Sequence, residues 1–287
     1  MKLKKFVAIA MTVVLAATAL TACGSKNDED KTAKTKVIDI NLTDEEYAFG
    51  VDKDQPELLT SVNDFIKTMK EDGTFDEICN KYFGDGEPVG VKAGSLDESK
   101  DQLVVATNAA FEPFEYMDGE LYYGIDMEIA AALADKLGKE LVIVNMDFDA
   151  VCLTVGQHKC DIAMAGLTIK PDREEYVTFS DSYYSASQKL IVPGDNNEFD
   201  ACKTVEDVEK ILKSKDDKVT AGVQNGTTGQ FYCEGDEDWG FDGYAFKTTG
   251  YTNGALAVQD MMNGNIDYVI IDSAPAKCIT DAINELN

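Results

Sequence analysis

The hydrophobic positions of this chain fall into two alternating patterns. Short apolar runs at 103–107 (LVVAT), 140–146 (ELVIVNM) and 267–271 (DYVII) predict buried strands, because runs of this kind are typical of strands covered on both faces. Elsewhere apolar residues recur at helical spacing, as in the stretch that begins at Pro56. Strands that alternate with helices indicate βαβ units. We therefore expect an α/β protein in which each sheet is mostly parallel and flanked by helices.

The same patterns predict the other elements and a linker. Predicted strands cover 37–40, 45–51, 103–107, 140–146, 161–166, 190–192, 219–223 and 267–271. Predicted helices begin at Pro56 and near Phe75, cover 126–137, 149–156, 204–214, 254–263 and 273–285, and follow Pro171 and Gly226. The stretch 85–101 is rich in glycine and acidic residues, which favours an internal linker.

Polar residues follow four of the predicted strands. These residues are Asn108, 166–168, 224–228 and Asp272. In α/β sheets, ligands bind beyond the carboxyl ends of the strands. The pattern is therefore typical of a binding crevice, although periodicity does not decide whether the four ends converge.

The first 22 residues have the pattern of a signal peptide. A basic start is followed by an apolar stretch from Phe6 to Leu20, too short for a confident membrane span. The sequence LTAC then resembles a bacterial lipobox, which implies that Cys23 is lipidated and anchors the protein to the outer face of the membrane. Ordinary secretion with a chance cysteine is the alternative. The polar stretch 23–36 is a predicted tether between lipid and fold.

Charge and cysteine spacing exclude several classes of partner. The formal net charge is −27, from 26 basic and 53 acidic side chains among 287 residues. Nucleic acid is not expected as a partner, because phosphate binding needs clustered Lys and Arg. Six further cysteines show no zinc-type spacing, so we expect neither metal nor cofactor. These cysteines either form disulfides, as export permits, or are buried as small hydrophobes, and their apolar surroundings favour burial. They are Cys79, Cys152, Cys160, Cys202, Cys233 and Cys278.

Six ordered segments carry a resemblance to a known family. They are ATNAAFEPFEY (106–116), YGIDMEIAAALADKLG (123–138), MDFDAV (146–151), DIAMAGLTIKPDREEYVTFSDSYY (161–184), VQNGTTGQ (223–230) and IDYVIID (266–272). In these segments the chain resembles the polar amino-acid solute-binding proteins of ABC transporters. The resemblance implies a two-lobed periplasmic-binding-protein type II fold, an amino-acid ligand held between the lobes, and delivery of that ligand to a permease.

The order of the segments departs from the family. An extended run like LTDEEYAFGVDKDQPELL and a helix ending like DGTFDEICNKYFG lie at the family's C-terminus, but here they lie at 42–84. A family strand that resembles KVIDI lies here at 36–40. The resemblance thus indicates a circular permutant whose old termini are joined near 85–101. A truncated tandem or an assembly artefact is the alternative, although a tandem would leave duplicated segments and we find none.

This reading divides the chain into four parts. They are the signal peptide (1–22), the tether (23–36), a first lobe (48–191) and a second lobe (37–47 and 192–287). The hinge is expected in the crossings near 45–51 and 186–192, and the tether would enter the second lobe.

The resemblance also assigns roles at the ligand's main-chain groups. Arg173 matches the arginine that holds the ligand's carboxylate, and its planar fork suits that task better than a lysine. Thr168 matches a residue that binds the main-chain groups, and Gly166 offers its carbonyl to the ammonium. Thr228 begins a predicted helix, where free N–H groups favour an anion. The alternatives are a surface arginine and an ordinary helix cap.

Asp272 matches the residue that pairs with the α-ammonium, although a strand-terminal Asp is equally often a helix N-cap. Phe111 and Phe148 match aromatic walls of the side-chain pocket, where lone Phe residues would otherwise be core. Asn108 and Gln224 match positions that vary with the ligand. Because neither is charged, they favour a neutral polar ligand such as glutamine or cystine, while basic ligands stay open.

Binding without catalysis is the expected function. The only histidine, His158, lies in the loop GQHKC and is expected to be solvated. The sequence shows no Ser-His-Asp set and no phosphate-binding loop. The alternatives are an enzyme on the same fold, similar to a dehydratase, and a ligand-sensing receptor component. We expect an extracytoplasmic monomer.

Overall fold

The structure, a computed structural model, describes residues 33–286. This part of the chain forms short strands and helices in alternation. The strands are β1 (Thr35–Ile38), β2 (Glu45–Tyr47), β3 (Gly50–Asp52), β4 (Gln102–Thr107), β5 (Ala110–Phe111), β6 (Glu115–Asp118), β7 (Leu121–Tyr123), β8 (Glu140–Asn145), β9 (Ile162–Ala163), β10 (Val177–Phe179), β11 (Tyr184–Ala186), β12 (Gln188–Pro193), β13 (Thr220–Gln224), β14 (Lys247–Tyr251) and β15 (Tyr268–Asp272). The α-helices are α1 (Pro56–Glu71), α2 (Thr74–Phe83), α3 (Ile125–Leu137), α4 (Val151–Gly156), α5 (Val205–Leu212), α6 (Thr228–Glu234), α7 (Gly254–Met262) and α8 (Ser273–Glu285).

Two five-stranded sheets define two lobes. The sheet of the first lobe has the order β10-β3-β9-β4-β8, and that of the second lobe has the order β1-β12-β15-β13-β14. Helices α1 to α4 contact the first lobe, while α6, α7 and α8 pack on the strands of the second. The expected two-lobed α/β fold is thus confirmed.

In each five-stranded sheet four strands run in the same direction, as expected, and one strand runs opposite to them. Strands β4, β8 and β9 run parallel, as do β13, β14 and β15. In contrast, β3 and β12 pair antiparallel with both of their neighbours. These two strands directly follow the hinge strands, so they enter their sheets without the crossover helix that a parallel pair requires.

The hinge is a small antiparallel pair of β2 and β11, with Tyr47 opposite Tyr184. From β2 the chain enters the first lobe as β3, and from β11 it enters the second lobe as β12. Residues 188–191 all pair with β15. The predicted first-lobe boundary at Ile191 is therefore too late, because these residues already belong to the second sheet.

Helices α1 and α2 belong to the first lobe. Pro56 occupies the first turn of α1, and apolar residues at helical spacing form its buried face, including Val62, Phe65 and Met69. The helix ends before Gly73, which has a φ of 86°, a conformation that glycine adopts without strain. Helix α2 packs on α3, and the Tyr82 hydroxyl donates to Glu128 Oε1 at 2.7 Å.

The predicted linker 85–101 follows the edge of the first lobe. Val91 bridges Tyr122 of β7, and Gly94 bridges Val142 of β8. The Gly94 N–H donates to the Leu141 carbonyl at 2.8 Å. Because β8 is an edge strand, this segment covers backbone groups that would otherwise face solvent.

Most strands and helices predicted from periodicity lie within a few residues of the observed ones. The predicted strand at 37–40 is β1, at 35–38, so it begins inside the predicted tether. The helix expected after Pro171 is a single 3₁₀ turn, Arg173–Glu175. The prediction missed the meander β5-β6-β7 and strands β10, β11 and β14, because these strands are short and carry exposed or half-buried residues that hide their alternation.

All six cysteines between residues 33 and 286 are free thiols. Cys152, Cys160 and Cys233 are buried, as expected for small hydrophobes, while the other three are half-buried. None of the helices in residues 33–286 combines the length and apolar character needed to cross a membrane. The predicted signal peptide and Cys23 lie outside the described residues.

Candidate functional site

The polar residues predicted at strand ends converge on one narrow cavity between the lobes. Eight of the nine predicted ligand-binding residues line it, together with Thr227: Phe111, Phe148, Gly166, Thr168, Arg173, Gln224, Thr228 and Asp272. The ninth, Asn108, is buried and accepts a hydrogen bond from Gln224 Nε2 at 3.0 Å. The structure thus brings all nine together, and their roles toward a ligand stay predictions.

Arg173 is the only arginine of the sequence, and the residue is 8% exposed. Its Nη1 donates to the Thr168 carbonyl at 2.6 Å, and its Nη2 donates to the Gly226 carbonyl at 2.9 Å. The guanidinium carbon lies 5.2 Å from the centre of the Phe148 ring, a cation–π distance. Since a guanidinium has five N–H donors, three remain for a carboxylate in the cavity.

Asp272, the last residue of β15, is a buried carboxylate that lines the cavity. It accepts a short hydrogen bond from the Tyr47 hydroxyl. Burial, and then the negative charge of nearby Glu45, raise the pKa of the Asp272 carboxyl. A cation in the cavity would remove this penalty, because an opposite charge favours the ionised form.

Glu45 is a second buried carboxylate at the hinge side of the site. It accepts from the Thr168 hydroxyl at 2.7 Å, from the Thr43 hydroxyl at 2.6 Å and from Gln188 Nε2 at 3.0 Å. It therefore fixes Thr168 through hydrogen bonds that connect the hinge strand to the cavity.

Sequence reasoning missed Glu45, Tyr47 and Gln188 as neighbours of the site. For Glu45 and Tyr47 the sequence signal is the extended run EEYAFGV, which predicts a hinge and not a crevice. Thr227 was missed as well, although it lies inside the segment VQNGTTGQ. Its hydroxyl donates to the Gln224 carbonyl at 2.8 Å, which fixes the turn before α6.

Gly166 lies where the cavity wall admits no side chain. Its φ is 53°, and an added Cβ would lie 3.1 Å from Phe111 Cε1. Its N–H donates to Asp126 Oδ2 at 2.9 Å, and the Tyr183 hydroxyl donates to Asp126 Oδ1 at 2.7 Å. Burial raises the pKa of Asp126 to about 7. Asp126 lies in the segment YGIDMEIA and was not predicted as a site residue, although it orients the Gly166 peptide.

The uncharged pair Asn108 and Gln224 joins the two lobes at the cavity. Asn108 Nδ2 donates to the Met146 carbonyl at 2.7 Å, which fixes the orientation of its amide. Within residues 33–286 the Gln224 side-chain oxygen has no hydrogen-bond partner. This end of the site therefore offers an uncharged acceptor.

The chain matches the model of the bacterial extracellular solute-binding proteins, family 3, over residues 6–85 and 103–272. The chain belongs to this family. Among individual relatives, this member is 30% identical to the arginine-binding extracellular protein ArtP of Bacillus subtilis over 63% of this chain and 65% of ArtP. It is also 30% identical to the ABC transporter arginine-binding protein 1 of Escherichia coli over 61% of this chain and 64% of that protein. The matches thus span less than two thirds of these relatives.

Solved structures of amino-acid-binding proteins have a similar fold. The arginine-bound form of truncated ArgBP from T. maritima aligns with a TM-score of 0.53 and 32% identity, over 63% of this chain and 78% of that one. An ancestral amino-acid-binding protein, AncCDT-1, described as a precursor of cyclohexadienyl dehydratase, aligns with a TM-score of 0.53 and 30% identity, over 73% of this chain and 78% of that one. The two curated relatives are binding proteins by name, whereas AncCDT-1 is a binding protein that precedes an enzyme.

A second polar cluster does not line the cavity. His158 Nδ1 lies 2.8 Å from Asp52 Oδ2, and its Nε2 lies 3.6 Å from Asp54 Oδ2. Hydrogen bonding and charge from Asp52 raise the pKa of His158. The imidazole, expected to be solvated, is 56% exposed and lies within ion-pair distance of both carboxylates.

Proposed function

We propose that this protein binds a polar amino acid between its two lobes and delivers it to the permease of an ABC transporter. The observation that carries the proposal is that one arginine, Arg173, and one buried carboxylate, Asp272, line the same narrow cavity. An α-amino acid carries a carboxylate and an ammonium on one carbon, and both lose water in a closing cleft. Each then needs a fixed partner of opposite charge.

The contacts of the site divide into a main-chain end and a side-chain end. Arg173 and the first turn of α6 at Thr228 would hold the carboxylate, and Asp272 with the Gly166 carbonyl would hold the ammonium. Phe111 and Phe148 then form the walls of the side-chain end. The α-carboxylate and the α-ammonium are therefore the groups that this site would recognise in every amino acid, whatever its side chain.

The uncharged amides at the side-chain end favour a neutral polar ligand such as glutamine or cystine. Asn108 and Gln224 present hydrogen-bonding groups without a charge. The relatives named arginine-binding point to a basic ligand instead, while one similar structure is an ancestral arginine-binding protein bound to glutamine. Titration with neutral and basic amino acids distinguishes these classes of ligand.

The test is calorimetric titration of the exported domain with the twenty amino acids, cystine and ornithine. We expect saturable one-to-one binding of a polar amino acid, and no binding of the corresponding amine or carboxylic acid that lacks half of the head. A protein that is folded by circular dichroism and binds none of the panel would exclude the proposed function.

We also propose a lipid anchor at Cys23 and a circular permutation of the family order. The permutation is supported by the position of β3, which comes early in the sequence but lies between the later strands β9 and β10 in the first sheet. It is also supported by the family match, which omits residues 86–102 near the proposed junction. The anchor is supported by the LTAC motif. Mass spectrometry of the N-terminal peptide from membrane fractions tests the anchor, and an unmodified N-terminus elsewhere would exclude it.

A further inference from the structure

A buried lysine joins the two lobes beside the cavity. Lys170 lies on the first-lobe loop that carries Thr168 and Arg173, and its side chain is only 3% exposed. Its ammonium lies 3.0 Å from Asp236 Oδ2 in the second lobe and 2.9 Å from Asp172 Oδ2 in its own loop. It also lies 4.5 Å from the centre of the Phe231 ring, again in the second lobe.

The second-lobe partner is held in place by its own loop. Asp236 Oδ1 accepts the N–H groups of Asp238 at 3.0 Å and Trp239 at 3.2 Å. Two backbone hydrogen bonds with Phe241 close the same turn. Asp236 is therefore preorganised, and little side-chain entropy is lost when Oδ2 meets the Lys170 ammonium.

The same lysine is connected to both sides of the predicted carboxylate site. The backbone N–H of Arg173 donates to the Lys170 carbonyl at 3.1 Å. Phe231 belongs to α6, the helix whose first residue is Thr228. A movement that separates Lys170 from the second lobe must therefore move Arg173 away from α6.

We propose that Lys170 is an inter-lobe latch that stabilises the closed form and sets the rate of ligand release. The inference rests on the proposed function, since release presupposes a bound amino acid. The ion pair with Asp236 and the contact with Phe231 exist only when the lobes meet, so their free energy shifts the open–closed equilibrium toward closure. Such a contact affects dissociation more than association.

The test uses two variants that break the latch and one matched control. Lys170→Met keeps the apolar stem without the charge, and Asp236→Asn keeps the turn-capping oxygen. Asp172→Asn removes a charge from the same lysine on its own lobe. With the best ligand of the panel, we expect Lys170→Met and Asp236→Asn each to raise the dissociation rate roughly tenfold, with association rates within about threefold of wild type. Asp172→Asn should stay close to wild type.

The double variant Lys170→Met with Asp236→Asn should release ligand no faster than Lys170→Met alone, because the two changes remove one interaction. Unchanged dissociation in both single variants, or an equal effect of Asp172→Asn, would overturn the latch while leaving the proposed function intact. If the wild type binds nothing in the panel, the proposed function fails, and small-angle scattering then decides the latch. A radius of gyration equal in wild type and Lys170→Met would overturn it, and a larger one in the variant would support it.

Discussion

Replacement of Arg173 tests the predicted carboxylate site, where the guanidinium is held by defined hydrogen bonds. Arg173→Ala removes the two bonds to the Thr168 and Gly226 carbonyls and the contact with Phe148. It would also leave the ligand's carboxylate desolvated without a partner. Removing one partner from a buried charged pair costs about 3–5 kcal/mol, which corresponds to about two to four decades of affinity.

Arg173→Lys separates the charge from the geometry of the guanidinium. A lysine keeps the positive charge, but its single nitrogen cannot serve two fixed carbonyls and both carboxylate oxygens at once. We expect a loss of roughly one to two decades, between wild type and Arg173→Ala. The matched control is Lys100→Ala, which breaks a 2.9 Å ion pair with Glu140 within the first lobe and should leave binding unchanged.

The assay is titration calorimetry of all three variants with the best wild-type ligand, with folding checked by circular dichroism. Since Arg173 is the only arginine, its guanidinium N–H signals can also be followed by ¹⁵N NMR and should shift on saturation in the wild type. If folded Arg173→Ala binds within about threefold of wild type, a difference of under roughly 1 kcal/mol, the assignment of the carboxylate site is wrong.

Two further predictions concern backbone strain and pH. Gly166→Ala should lower the free energy of unfolding by more than the roughly 1–2 kcal/mol that a left-handed conformation costs, because its new Cβ also meets Phe111 at 3.1 Å. Gly138→Ala, with a φ of 69° and open space around it, is the control in denaturant unfolding, and equal losses would contradict the packing argument. His158→Ala should lower the thermal midpoint more at about pH 5.5 than at about pH 8.5, because Asp52 raises the pKa of the imidazole and the ion pair is lost as pH rises through that value. The same midpoint decrease at both pH values would show that the pair does not contribute.

Local pattern determined most of the elements and, through the family resemblance, most of the residues that line the cavity. An apolar run such as LVVAT must be covered on both faces wherever it lies, so β4 was predictable without its neighbours. Arg173, Thr228 and Asp272 were predictable because their segments resemble a family whose fold brings strand ends together.

The tertiary structure alone decided the contacts between distant segments. Tyr47 donates to Asp272 across 225 positions of the sequence, and Lys170 pairs with Asp236 between lobes. In the sequence, Tyr47 looks like any tyrosine on a strand and Lys170 looks like any lysine in a loop. The sequence also did not predict the direction of β3 and β12, because a buried strand has the same apolar pattern in a parallel and in an antiparallel pair. Periodicity records which side of a segment is buried, whereas its partner depends on how the whole chain crosses the hinge.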